Sequence, residues 1–195
     1  MRRPLVAGMA ALAIALTGCA PGASARASGS DPALVAARKV AGIADCPAST
    51  DEAALPDGLP DLSLDCLGGD SQVRLAGLRG RPLVLNLWAQ WCAPCRAEAR
   101  YLAEYSRKPE DGVQLLGINY DDPQPALALE FAQLVGWTYP QLADPQKSSA
   151  TPLRVPGIPL TLLVDADGRV AARHSGPFSS TADLAGWVAS GLEDR

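Results

Sequence analysis

The chain has 195 residues and a formal net charge of −4, and no basic run exceeds two residues, which argues against an electrostatic nucleic-acid binder. Setting aside a targeting segment leaves roughly 150 residues, one domain large enough to bury its core without crosslinks. Five cysteines against a single histidine, His174, favour thiol chemistry over a metal centre, which needs several well-spaced ligands.

Arg2 and Arg3, the apolar run 5–16 and Leu16-Thr17-Gly18-Cys19 have the charged start, short apolar core and small residues of a secretory signal over 1–18. A dozen apolar residues fall short of the ~20 that span a bilayer. Leu-Thr-Gly-Cys resembles the bacterial lipobox, which implies that Cys19 carries a diacylglyceryl anchor. An ordinary signal with an incidental cysteine is the alternative. Residues 19–45 read as a membrane-proximal linker, rich in Ala, Gly, Ser and Pro as far as Ser30. Asp31-Pro32 then supplies an N-cap and a first helical proline for a short helix over 33–40.

The folded domain is expected over 46–195, entered through an extended, turn-rich stretch at 45–70 that holds Pro47, Pro56 and Pro60. Strands are expected at 73–75, 83–89, 113–119, 161–164 and 170–172, and helices at 95–106, 125–135 and 181–192. The run from Leu83 to Ala89 suits a central strand buried on both faces. Asp165-Ala166-Asp167-Gly168 suits a hairpin turn. This alternation describes an α/β fold, a central mixed sheet with helices on both faces.

Trp91-Cys92-Ala93-Pro94-Cys95 falls where a buried strand passes into a helix. A thiol at a helix N-terminus meets unpaired N–H groups and the positive end of the dipole, which favour its thiolate. Cys92 is therefore the expected nucleophile. Cys95, one turn on and on the same face, is placed to resolve the mixed disulfide. Pro94 sits in the first turn, where its missing N–H costs nothing. Trp88 and Trp91 read as packing residues bordering the site.

The segment Asn86-Leu87-Trp88-Ala89-Gln90-Trp91-Cys92-Ala93-Pro94-Cys95-Arg96-Ala97-Glu98 resembles the active-site strand and helix of the TlpA/ResA/DsbE-like thioredoxin proteins, and the resemblance runs from about Leu59 to Leu192. Gly117-Ile118-Asn119-Tyr120-Asp121-Asp122-Pro123 and the following helix are similar to that family's αβ insertion, and Gly157-Ile158-Pro159-Leu160-Thr161 to its cis-proline loop. The resemblance implies a thioredoxin-like fold with an N-terminal extension and a TlpA-type insertion. It also implies a cis Pro159 with Ile158 pairing to an extended substrate; an ordinary trans proline at a strand start is the alternative. Plain thioredoxins carry a buried aspartate where this chain has Asn86. Glu98 matches the acid of ResA-like members and is implied as a proton relay, against the alternative of a solvated glutamate beside Arg96 and Arg100.

With Cys19 as anchor and Cys92 paired to Cys95, Cys46 and Cys66 pair by elimination, as a structural disulfide or, alternatively, a second redox centre. The expected protein is a thiol–disulfide oxidoreductase, lipid-anchored on the extracytoplasmic side of a bacterial membrane, monomeric and without cofactor or metal. Its expected partners are exported protein thiols or disulfides and a membrane redox partner. Both directions are open: reduction, as in cytochrome c maturation, and oxidation. A non-catalytic binding module and a peroxiredoxin-like peroxidase are the competing readings. The second is disfavoured because no Thr or Ser closely precedes Cys92.

Overall fold

Seven strands form one sheet in the order β2-β1-β5-β4-β3-β6-β7. In chain order the elements are α1 (Pro32–Val40), β1 (Ser63–Cys66), β2 (Gln72–Arg74), β3 (Leu83–Trp88), α2 (Ala93–Arg107), β4 (Gln114–Tyr120), α3 (Pro125–Leu134), β5 (Gln141–Asp144), β6 (Leu160–Val164), β7 (Val170–Ser175) and α4 (Thr181–Glu193). The structure, a computed structural model, describes residues 31–109 and 112–193. The expected signal at 1–18, Cys19 and the linker up to Ser30 lie outside the described residues.

β3 is buried along its whole length, as its apolar run requires. It pairs in parallel with β4 and antiparallel with β6. Leu83, Leu85 and Leu87 join one cluster, and Val84 and Trp88 the other. α1 begins as expected, with Asp31 Oδ1 accepting from Ala33 N–H at 2.9 Å. Its Arg38 is buried, donating to Gly68 O and pairing with Asp45 at 2.6 Å, which fastens the helix to the segment behind β1.

Two features differ from the sequence reading. β1 lies in the stretch read as extended and turn-rich, and β5 in one with no expected element; their four-residue lengths carry too little apolar alternation to signal a strand, and β1 pairs with β5 and β5 with β4. The four α-helices also do not divide between the faces. All contribute to one cluster, which includes Leu34, Leu102, Phe131 and Leu184. The opposite cluster holds no residue of α1–α4 and is closed by residues such as Leu59, Leu75, Leu78 and Leu153.

Because β3, β4 and β5 run parallel and β1 antiparallel to β5, the sheet has two unlike ends. β3 delivers Cys92 at one. β1 carries Cys66 level with Leu87 but three strands across the sheet from β3, where Cys46 is bonded to it with a Cα–Cα distance of 5.9 Å.

Candidate active site

Cys92 is the N-cap of α2, and its Sγ accepts from Cys95 N–H at 3.2 Å. The two cysteines are disulfide-bonded with a Cα–Cα distance of 5.3 Å, and both are buried. The Ile158–Pro159 bond is cis, and Ile158 O lies 3.7 Å from Cys92 Sγ. The structure therefore brings Cys92, Cys95, Pro94, Ile158 and Pro159 to one end of the sheet.

Glu98 is fully buried, on the face of α2 that also buries Cys95, Leu102 and Tyr105. Asn86 Nδ2 donates to its Oε1 and Phe178 N–H to its Oε2, each at 3.0 Å. Burial raises its pKa to about 7, against the opposing pull of those two hydrogen bonds. The solvated alternative fails because Arg96 and Arg100 leave by the exposed face, where Arg96 lies over the Phe131 ring.

The two tryptophans part company. Trp88 is fully buried, its Nε1 donating to Gln141 Oε1 at 2.9 Å. Trp91 is 51% exposed and is held by a hydrogen bond from Nε1 to Asp121 O at 3.0 Å. His174 is half-buried and stacked on Phe178, with ring centroids 4.0 Å apart. Among the described residues no group of histidine, cysteine and acidic side chains could hold a metal ion, and no helix is long and apolar enough to cross a membrane.

Sequence reasoning misses one contributor. Asp122 is buried, and its Oδ2 accepts from Gln90 N–H at 3.2 Å and from Asn119 Nδ2 at 3.1 Å. Its Oδ1 accepts from Gln124 N–H at 3.1 Å. One carboxylate thus ties the stretch before Cys92 to the end of β4 and the start of α3. An acidic pair directly after a buried strand, Asp121-Asp122, is the signal that marks it.

A redoxin family model matches residues 54–188. The thiol:disulfide interchange protein HelX of Rhodobacter capsulatus is 36% identical over 122 residues, covering 62% of this chain and 67% of HelX. DsbE of Escherichia coli K12, also a thiol:disulfide interchange protein, is 33% identical over 138 residues, covering 69% and 72%. The crystal structure of a secreted thiol-disulfide isomerase from Corynebacterium glutamicum superposes with a TM-score of 0.59 at 28% identity, covering 74% of this chain and 99% of that one. Fold and relatives together define a thiol–disulfide oxidoreductase of thioredoxin-like architecture. The chain belongs to the redoxin family, in its TlpA/ResA/DsbE-like branch.

Proposed function

We propose that the protein is a lipid-anchored extracytoplasmic enzyme that exchanges disulfides with exported proteins through Cys92 and Cys95. The observation that carries this reading is the placement of Cys92, which caps α2 within 3.7 Å of Ile158 O. Both the helix terminus and an extended substrate lying along the Ile158-Pro159 loop are then within its reach.

In the reducing direction the Cys92 thiolate attacks one sulfur of a substrate disulfide, and the other sulfur leaves as a thiolate. Cys95, giving its proton to the Glu98 carboxylate, attacks Cys92 Sγ and displaces the second substrate thiolate. Two electrons pass to the substrate and the pair becomes the disulfide. The oxidising direction is the reverse sequence. Cys46–Cys66 is the structural crosslink of the folded domain, and Cys19 is the attachment point. The extracytoplasmic setting draws support from the signal-like N-terminus and the secreted relative.

Cys95→Ser tests the reading. It should accumulate mixed disulfides between Cys92 and exported proteins, separable on non-reducing gels and lost on adding dithiothreitol. An absence of adducts in cells that express the variant sinks it. Cys19→Ser should move the protein from the membrane fraction to the soluble one.

A further inference from the structure

Asn86 brings a donor and an acceptor into the buried space beside Glu98, and the donor alone is engaged. Nδ2 donates to Glu98 Oε1 and to Thr161 Oγ1, each at 3.0 Å. Oδ1 is buried and has no hydrogen-bond partner among the described residues. Buried acceptors are rarely left unpaired, and an exception calls for a reason.

The arrangement suits an ionised Glu98, which can accept but not donate. Once the carboxylate takes a proton it becomes a donor, and the same amide can serve it by turning over about its terminal bond. Oδ1 then faces Glu98 and Thr161. The threonine hydroxyl follows, since it donates as readily as it accepts. One amide atom stays unpaired in each state: Oδ1 beside the charged group, Nδ2 beside the neutral one.

We propose that Asn86 and Thr161 are positioning residues that hold Glu98 in one place through both of its protonation states, the amide donating to the carboxylate and, turned over, accepting from the acid. The inference rests on the reading of Glu98 as proton relay for Cys95. The proton leaves Cys95 Sγ, enters on Glu98 and turns the amide, so the carboxyl group need not move between receiving and releasing it. An aspartate at position 86 would compete with Glu98 for the proton. An aliphatic residue would serve neither state.

Few other titratable groups face this space. Cys92 and Cys95 lie on the same helix. Tyr139, just ahead of β5, interacts electrostatically with Glu98, and burial pushes its phenol well above its ordinary range. His174 of β7 stands opposite Thr161 in the ladder and stacks on Phe178, and Asp183 of α4 interacts with His174.

The test is NMR on the full chain in its disulfide form, with glutamate carboxyl carbons and side-chain amide nitrogens labelled, from about pH 5 to about pH 9. The Glu98 carboxyl and Asn86 Nδ2 signals should titrate with one shared midpoint, and the Asn86 signal should be flat in Glu98→Gln. Thr161→Val, close in shape, takes one partner from the amide in both states, so the shared midpoint should stay within about half a pH unit. Asn86→Asp should replace it with two midpoints belonging to the carboxyl pair. Asn86 signals that stay fixed while Glu98 titrates overturn the proposal, as does a midpoint that moves by about one pH unit or more in Thr161→Val, which would mean that Thr161 serves one state alone. Glu98→Gln exchanging disulfides at the wild-type rate at every pH would instead overturn the relay reading, and the wild-type chain would still show the amide response.

Discussion

Phe178 N–H donates to Glu98 Oε2 at 3.0 Å, so the turn that enters α4 closes over a carboxyl group belonging to α2. Three elements meet at this one side chain: its own helix, β3 through Asn86, and the approach to α4. That convergence, together with burial, is why its protonation is coupled to the fold as well as to the chemistry.

Stability should depend on pH through Glu98. Its pKa rises from 4.5 in the free group to about 7 here, so between those values the folded chain keeps a proton that the unfolded chain has released. The contribution is fully present below the lower value and is lost as pH rises through the upper one. The loss should reach about 3 kcal/mol at most. Urea unfolding at several pH values should show this slope in the wild type and not in Glu98→Gln.

Asp122→Ala should loosen the approach to Cys92. It strips Gln90 N–H, Gln124 N–H and Asn119 Nδ2 of their shared acceptor, a loss of about 3 kcal/mol when buried donors go unpaired. Asp122→Asn keeps one acceptor oxygen and should lose less. Denaturant midpoints order the three proteins, and thiol exchange should slow in the same order.

Gly117→Ala places a Cβ 1.8 Å from Gln141 Oε1, the oxygen that accepts from the Trp88 indole. Overpacking of this kind costs about 1–3 kcal/mol, and displacing Gln141 adds a broken buried hydrogen bond. A lowered thermal midpoint with a changed tryptophan emission should follow.

Replacing Cys46 and Cys66 together with serine opens a crosslink of sequence separation 20, which should lower stability by about 3 kcal/mol. Exchange through Cys92 and Cys95 should persist under conditions where the variant is folded. Loss of exchange in the folded variant would assign this pair to the redox chemistry.

The redox strand and helix are legible in the sequence because each feature is local. An unbroken apolar run makes β3, and Cys92 and Cys95 mark the turn that follows. β5 is not legible, because its Gln141 and Asp144 look like loop residues. They are buried only because Trp88, Ser148 and Ser149 satisfy them from elsewhere in the chain. Glu98 is an intermediate case. Its neighbours Arg96 and Arg100 suggest solvent, yet the spacing Cys95, Glu98, Leu102, Tyr105 already marks a buried stripe. The acceptor role of Asp122 needs the folded chain, since its partners come from three different elements.

The strand order β1-β5-β4-β3 sets Cys66 three strands across the sheet from the strand that leads to Cys92. Attack chemistry and fastening are thereby kept in separate precincts of the same molecule. Substitutions that retune which thiols are recognised, around Trp91 or Ile158, need not disturb the clasp at Cys46, and the clasp can be strengthened without reshaping recognition. An architecture with such independence can diversify its clients while its scaffold stays put.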